Sequence, residues 1–255
     1  TPFTPRPMIN QSSEGAASAN NSNSLYWQEE TYLTYVKDIN KHHINAMAGM
    51  SWQEYNYTKF EASDSKYIDD FYGYYNLGFG TNRPSVGNDY DKWAMNSYFL
   101  RLAYSYDNKY MATVTGRYDG SSKFGQNNKY AFFPSVGLGW MISNEDFLKD
   151  NQVVSNLKLR VSYGTSGNDR IDADLYQKLY GVSSSRPAGW GENSHYYYNF
   201  YNSKYVYNPD VRWETTITRN IGFDFGFFKE RISGTVDVYW NTVKDLLVPS
   251  DIPGY

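Results

Sequence analysis

The sequence predicts an all-β protein that forms part of a membrane-spanning antiparallel β-barrel. Three observations support this prediction: long stretches in which every second residue is apolar, connections that are alternately short and long, and an abundance of aromatic residues. A β-strand sends successive side chains to opposite faces, so strict alternation produces one apolar and one polar face. Strands of this kind, joined by short turns at one end and long loops at the other, are typical of bacterial membrane barrels.

The alternation is clearest in residues 212–227 and 231–241. In the first stretch the apolar positions, which are interrupted by Arg219, are Ile217, Ile221, Phe223, Phe225 and Phe227. In the second stretch they are Ile232, Val236, Val238 and Trp240. The positions between them are mostly small or polar. Each strand would therefore present one face to lipid and the other to water.

The chain begins with residues 1–24, which are rich in Pro, Ser, Asn and Ala and are predicted to form an outer loop or a disordered segment. Residues 25–241 are predicted to form an arc of about eight barrel strands, because the alternation recurs throughout them. These strands are predicted at residues 25–37, 44–53, 96–106, 110–118, 132–142, 157–164, 212–227 and 231–241. Residues 242–255 would begin a further outer loop.

The connections between the predicted strands alternate in length. Short turns are predicted at residues 38–42, 107–109 and 228–230, and a somewhat longer connector at 143–156. Long polar loops are predicted near residues 55–95, 119–131 and 167–210. Bacterial barrels place their short turns in the periplasm and their long loops outside the cell. The pattern therefore predicts which end of each strand faces outward.

The composition favours a membrane barrel and excludes several other classes of protein. The 255 residues include 27 Tyr, 14 Phe and 7 Trp, and aromatic residues collect at both boundaries of a bilayer. Five Trp near predicted strand ends are therefore predicted to be interface anchors: Trp27, Trp52, Trp140, Trp213 and Trp240. The net charge of −3 does not favour nucleic acid, and the absence of Cys excludes a disulfide framework or a thiolate metal site.

The ends of the sequence carry a further expectation. The sequence contains no run of about eighteen apolar residues, so no membrane-spanning helix is predicted. The first residues, TPFTPRP, have no charged start followed by an apolar core, so they do not form a signal peptide. A secreted barrel needs one, and we therefore expect either a mature chain or a piece of a longer one.

Two groups of loop residues are candidates for contact with a ligand or another protein. One is a polar cluster around a Gly pair, containing Arg117, Asp119 and Lys123 with Ser121 and Ser122. The alternative for this cluster is that it sets the geometry of a hairpin. The other group is aromatic and could stack on sugars or peptide side chains, or could pack the loops themselves. It contains Tyr72, Tyr74 and Tyr75 in one loop, and Trp190, Tyr196, Tyr197 and Tyr198 in another.

Metal sites and catalytic centres are not predicted. Several loop aspartates could offer oxygen ligands to calcium, but their spacing does not match a calcium loop; they are Asp64, Asp69, Asp70, Asp172 and Asp174. Three scattered His without Cys do not predict zinc. No nucleophile elbow, phosphate-binding loop or dinucleotide fingerprint is present. We therefore predict no cofactor.

Several segments, in their order and spacing, resemble the SusC/RagA family of TonB-dependent outer-membrane transporters of Bacteroidetes. The resemblance runs from about residue 27 to the end. It is carried first by RLAYSYDNKY at 101–110, RYDGSSKFG at 117–125, FPSVGLGW at 133–140 and LKLRVSYGTSGN at 157–168. It continues with WET at 213–215, NIGFD at 220–224, RISGTVDVY at 231–239, TVKDLL at 242–247 and IPG at 252–254.

The resemblance implies a barrel of about 22 strands in the Gram-negative outer membrane. It implies energised import of a glycan or peptide, without enzymatic chemistry. A SusD-like lipoprotein would cover the outer face, TonB would act through a plug domain that is absent from this chain, and the loops would contact the plug, the substrate or the lipoprotein. The polar face suits a wide, water-filled lumen, because it carries Arg101, Arg160, Arg212, Asp224 and Asp237.

Two other functions remain open from the sequence. One is a small outer-membrane barrel enzyme, a protease or lipase with its site in the loops, for which no plausible set of acid, base and nucleophile is apparent. The other is a soluble carbohydrate-binding β-sandwich. A sandwich would have shorter strands, with turn signals every 8–12 residues or so, and the long loops argue against it.

Overall fold

A computed structural model describes residues 15–67, 75–80, 84–148, 151–173, 175–177, 180–189, 196–202 and 208–248. The strands in these ranges are β1 Gly15–Ile39, β2 His42–Tyr67, β3 Ser85–Tyr106, β4 Tyr110–Ser121, β5 Tyr130–Met141, β6 Val154–Asn168, β7 Tyr180–Gly189, β8 Tyr196–Asn202, β9 Glu214–Phe227 and β10 Ile232–Lys244. Single turns of 3₁₀-helix lie at Leu77–Phe79 and Ile142–Asn144. None of the described helices is both long and apolar enough to cross a membrane.

Eight of the strands form one sheet in the order β1-β2-β3-β4-β5-β6-β9-β10. Neighbours in the chain are neighbours in the sheet except where β7 and β8, which pair with each other, are inserted between β6 and β9. The prediction of an all-β, antiparallel fold is confirmed. These eight strands form a single sheet, whereas a sandwich requires two sheets packed face to face.

The chain divides into two compact units. The first contains Thr1–Trp27 and Glu54–Trp93, and the second contains Gln28–Gln53 and Ala94–Tyr255. In the first unit the ring of Trp93 stacks on Tyr55 at 5.8 Å between centroids and lies 6.1 Å from Tyr26. The second unit contains the strand pairs and loops that form the candidate site.

The first strands are longer than predicted. Residues 15–24, predicted as part of a loop, belong to β1, and residues 1–14 lie outside the described part. Strands β2 and β3 likewise occupy much of the predicted 55–95 loop, leaving residues 68–84 between them. Alternation is visible only where one face of a strand is apolar. Where both faces meet water, backbone pairing can extend a strand without any such pattern.

The other loop predictions are corrected in the same direction. Strand β4 ends at Ser121 and β5 begins at Tyr130, so the predicted 119–131 loop is shorter at both ends. The predicted 167–210 loop contains the β7–β8 hairpin, and β10 extends three residues past 241, to Lys244. Hairpin pairing in a polar loop leaves no apolar stripe for the sequence to display.

The ends of the strands are staggered across the sheet. Tyr110 at the start of β4 lies in line with Trp140, Leu159 and then Phe223, whereas β9 continues four residues beyond Phe223 to Phe227. This step is about 13 Å along the strand over three strand spacings of about 4.8 Å each. If the turn before β4 and the turn after β9 lie at the same level, the strands tilt by about 40° from the barrel axis. This is the tilt of a membrane barrel.

Candidate functional site: the two faces of the sheet

One face of the sheet is apolar and exposed. The register places apolar residues directly opposite one another across five strands, in the row Ala112, Leu138, Val161, Ile221 and Val238. Leu138 is 56% exposed and Val238 59% exposed. A continuous apolar surface of this kind is rare on soluble monomers, because such surfaces associate in water. This apolar face is therefore suited to contact with lipid.

Two rows of aromatic residues bound this apolar face on β3, β4 and β5. We call Tyr106, Tyr110 and Trp140 the turn-side belt, and Tyr98, Tyr118 and Phe132 the loop-side belt; the members of each belt are direct partners in the register. On every strand the two belts are eight residues apart. Eight residues span about 26 Å along a strand, or about 20 Å of height at a tilt of about 40°. This height approaches the apolar band of membrane barrels, about 25 Å.

Glu145 joins the polar tips of two turn-side belt residues. Its carboxylate accepts hydrogen bonds from the Tyr110 hydroxyl at 2.5 Å, from Trp140 Nε1 at 3.0 Å and from Lys109 Nζ at 3.3 Å. The bond from Tyr110, followed by that from Trp140, lowers the pKa of Glu145 below its ordinary value. A ring beside the apolar face with its polar tip on a carboxylate is the arrangement expected at a membrane interface. Sequence reasoning missed Glu145, because only the register brings it beside the belt.

The opposite face is polar and lined with small side chains. One of its rows runs through Thr113, Gly137, Ser162, Asn220 and Tyr239. The predicted division of the strands into an apolar and a polar face is confirmed for β4, β5, β6, β9 and β10. A surface of glycine, hydroxyl and amide groups can stay hydrated or slide against another polar surface, and it suits the wall of an aqueous channel.

A charge cluster lies on this polar face. Arg160 donates from Nε to Asp224 Oδ2 at 2.9 Å and from Nη2 to Asp224 Oδ1 at 2.8 Å, a bidentate pair. Its Nη2 also donates to Asp237 Oδ2 at 3.2 Å, and Thr235 Oγ1 donates to Asp224 Oδ1 at 3.0 Å. These charges were predicted to share the polar face, and the structure brings them into contact.

Gly222 makes this charge cluster sterically feasible. It lies between Arg160 and Asp237 in the register, so their side chains meet over its backbone. A Cβ at position 222 would lie 2.7 Å from Arg160 Cζ and 2.5 Å from Asp237 Oδ1. A glycine is therefore required for close approach and not for a special backbone angle.

The predicted polar cluster at the end of β4 is also assembled. Arg117 Nε donates to both carboxylate oxygens of Asp119, at 2.6 and 2.9 Å, and Arg117 Nη2 donates to Ser97 Oγ at 3.0 Å. Asp119 and Ser97 are buried, whereas the Arg117 side chain is 44% exposed. Asp119 therefore holds Arg117 from within β4, and it lies before the turn that joins β4 to β5.

The loop from β4 to β5 is tied to two other parts of the second unit. The backbone N–H of Ala94 donates to Ser122 Oγ at 2.9 Å, and the Ser122 N–H donates to the Ala94 carbonyl at 2.9 Å. Lys123 Nζ donates to the carbonyl oxygen of Asp169 at 3.3 Å, and Ser121 Oγ donates to its carboxylate at 3.3 Å. Contact of Arg117, Asp119 or Lys123 with a substrate or partner stays a prediction.

A small apolar core lies at this loop. Phe124 is fully buried, and its ring lies 5.0 Å from that of Trp213, which in turn meets Phe133 edge-on at 5.5 Å. Trp213 Nε1 donates to the Lys129 carbonyl at 3.0 Å. The prediction that Trp213 is an interface anchor is wrong, because this side chain is 5% exposed and packs against the loop. Its place just before a strand looked the same in sequence as that of a lipid-facing Trp.

The predicted aromatic loop residues are only partly within the described residues. Tyr72, Tyr74 and Trp190 lie outside them, whereas Tyr75 is 83% exposed. Tyr196, Tyr197 and Tyr198 lie in β8, where they pair with Gly189, Ala188 and Pro187. Their role as a ligand-facing rim stays a prediction.

The aspartates considered for calcium do not form a group in the part of the chain that the structure describes. Asp64 is buried, and Asp172 lies in a separate loop. Asp69, Asp70 and Asp174 lie outside the described residues. Among the described side chains, no three of His, Cys, Asp or Glu are close enough together to hold a metal ion.

Comparison with known proteins finds one family along nearly the whole chain. A family model for TonB dependent receptor-like β-barrels matches residues 4–255. TonB-dependent receptor P39 of Formosa agariphila is 33% identical over 98% of this chain, and TonB-dependent receptor SusC of Bacteroides thetaiotaomicron is 36% identical over 87%. The chain spans 24% and 21% of the lengths of these two relatives.

Solved structures agree with these sequence relatives. The RagAB peptide transporter matches 92% of this chain with a TM-score of 0.77 and 29% identity, and 25% of that chain is covered. The RagAB peptide importer in its open-open state matches 94% of this chain, again with a TM-score of 0.77 and 29% identity. The sheet is therefore similar to a segment of a much larger β-barrel.

Proposed function

This chain belongs to the family of TonB-dependent receptor-like β-barrels, and we propose that it forms an arc of the wall of an outer-membrane transporter. The observation that carries the proposal is the two-faced sheet, apolar on one side between two aromatic belts and polar on the other. A wall of this kind separates lipid from a water-filled lumen. The short turns would face the periplasm, and the long loops would face outward.

The proposed transporter imports a glycan or a peptide. The resemblance to the SusC/RagA family implies these two classes of substrate, and RagAB is a peptide transporter by its own description. Import of this kind needs binding and gating but breaks no covalent bond in the substrate, so we propose no enzymatic role. The small polar lining around Ser162 and Gly137 provides a hydrated wall past which a large polar substrate can move.

We further propose that a SusD-like lipoprotein covers the outer face and that TonB acts through a plug domain elsewhere in the polypeptide. The loop-side end of the sheet supports this arrangement. The Phe124–Trp213 core and the bonds of Ser122 and Lys123 hold the β4–β5 loop in one place. A fixed loop can form a lasting contact with a lid at little cost in conformational entropy.

Uptake by whole cells tests the proposal. The complete polypeptide containing this segment, expressed with its neighbouring lipoprotein, should restore uptake of fluorescent oligosaccharides or peptides to a strain that lacks its own importer. Dissipating the proton gradient should abolish that uptake, because TonB action is energised. Equal entry of both substrates into cells with and without the protein, or uptake that persists without the gradient, would contradict an energised transporter.

A further inference from the structure

Arg219 is a charged residue on the apolar face of the sheet. It lies between Ile217 and Ile221 on β9, and the register places it directly between Tyr163 on β6 and Trp240 on β10. Tyr163 is 42% exposed and Trp240 is 47% exposed, so this row lies on the surface assigned to lipid. A charge in such a position is costly without a partner and is a sign of function.

The level of Arg219 in the membrane follows from the stagger of the strands. Arg219 is eight residues from Phe227, where β9 ends on the turn side. Tyr118 of the loop-side belt is likewise eight residues from Tyr110, where β4 begins on the turn side. With the turn-side ends at one level, Arg219 lies at the level of the loop-side belt. Tyr163, Arg219 and Trp240 thus continue that belt at the membrane boundary.

The Arg219 side chain is held but not neutralised. Its guanidinium carbon lies 5.9 Å from the centre of the Tyr163 ring, and Nη1 donates to Thr242 Oγ1 at 3.2 Å. No carboxylate among the described residues forms an ion pair with it. A guanidinium has several N–H donors in a planar fork, so most of them stay available on the lipid side.

A second cation lies on the same face. Lys244 is opposite Thr215 in the register, two positions beyond Thr242 along β10, and its side chain is exposed. It is closer to the loop end of the strand than Arg219 is. The two cations and the two aromatic residues would therefore meet the headgroup region of one leaflet.

We infer that Arg219, with Lys244, Tyr163, Trp240 and Thr242, binds the phosphate group of an anionic membrane lipid. A planar guanidinium fits a phosphate with two parallel hydrogen bonds, and the Tyr163 ring and the Thr242 hydroxyl hold it in place to do so. Aromatic side chains at this level pack against the start of the acyl chains. The inference rests on the membrane placement proposed above.

Lipid binding by the complete polypeptide tests this site. Native mass spectrometry from neutral detergent would compare the binding of dioleoyl phosphatidic acid and dioleoyl phosphatidylcholine to wild type, Arg219→Gln and Lys244→Gln. One cation near a membrane contributes about fivefold to the affinity for an anionic lipid. Each substitution should therefore weaken phosphatidic acid binding about fivefold. It should weaken phosphatidylcholine binding less, because the choline group of that lipid cancels the charge of its phosphate. Arg101→Gln is the matched control, because Arg101 lies opposite Thr115 on the polar face, and it should bind as wild type does.

Each other outcome is informative. Equal binding of phosphatidic acid by wild type and Arg219→Gln would overturn the site while leaving the membrane placement intact. Binding of neither lipid by any variant would instead contradict the placement and the proposed function. Displacement by inorganic phosphate alone would indicate a small-anion site and overturn the lipid assignment. If Arg219→Gln does not fold, Lys244→Gln and a fall in wild-type binding with rising salt still decide the question.

Discussion

Gly222 shows how one residue determines what the polar face can hold. A Cβ at this position would overlap both Arg160 and Asp237, which meet above it. We expect Gly222→Ala to push these side chains apart and to lower the free energy of unfolding by about 1–3 kcal/mol. Gly137→Ala is the control, since a Cβ there would meet Ser162 Cβ at an ordinary 3.9 Å. Urea unfolding in detergent would measure both, and equal losses would contradict the steric explanation.

The contribution of Glu145 to the stability of the folded protein should depend on pH. Its pKa in the folded protein is lowered by the hydrogen bond from Tyr110 and then that from Trp140. A group with a lowered folded pKa stabilises the protein above its ordinary pKa, about 4.3 for glutamate, and loses this contribution as the pH falls through the folded value. Wild type should therefore melt at a higher temperature than Glu145→Gln near neutral pH, and the difference should vanish in acid. A difference that stays constant with pH would contradict this assignment.

At the scale of elements, the β4–β5 loop depends on Trp213. This residue packs against Phe124 and Phe133, and it bonds the Lys129 carbonyl. Replacing a buried Trp by Ala usually costs about 3–5 kcal/mol. We therefore expect Trp213→Ala to lower the free energy of unfolding by that amount and to speed hydrogen exchange at residues 121–129. Trp27→Ala should do neither, because Trp27 is 43% exposed, and fast exchange in that variant as well would argue against a local anchor.

The elements that could be predicted from sequence are those inside the apolar band. Strand β5 was predicted at 132–142 and is Tyr130–Met141, and β9 was predicted at 212–227 and is Glu214–Phe227. Lipid on one face and water on the other impose the alternation that revealed them. Residues 15–24 of β1 lie in a stretch of small polar side chains, so nothing in their pattern distinguishes strand from loop.

The candidate site was predictable only where its residues are close in sequence. Arg117 and Asp119 are two positions apart and were predicted to belong to one polar cluster, although the strand was predicted to end at residue 118. The tie between Lys123 and Asp169, and the position of Glu145 beside Tyr110, depend on strand register and loop packing. Alternation determines the face of each residue but leaves its partner on the next strand undetermined.

At the scale of the whole molecule, the stagger and the belts describe the same membrane orientation. With the turn-side ends of β4 and β9 at one level, the strands tilt by about 40°, and at that tilt the two belts are separated by nearly the height of an apolar membrane band. The chain is similar to about a quarter of the length of RagAB, with a TM-score of 0.77. A tilt of this size is typical of membrane barrels in general, so the width of the lumen stays part of the proposed function.

The central claim is that one face of the sheet meets lipid and the other meets water. Val161 and Ser162 test it best, because they are adjacent on β6, both exposed and on opposite faces. This segment contains no Cys, so single-cysteine variants can carry one nitroxide label in a cysteine-free complete polypeptide. In bilayers we expect oxygen, which enriches in lipid, to relax the label at 161 more than a water-soluble nickel chelate does. The label at 162 should show a lower oxygen-to-nickel ratio. Similar ratios at the two sites, or a higher ratio at 162, would contradict the account.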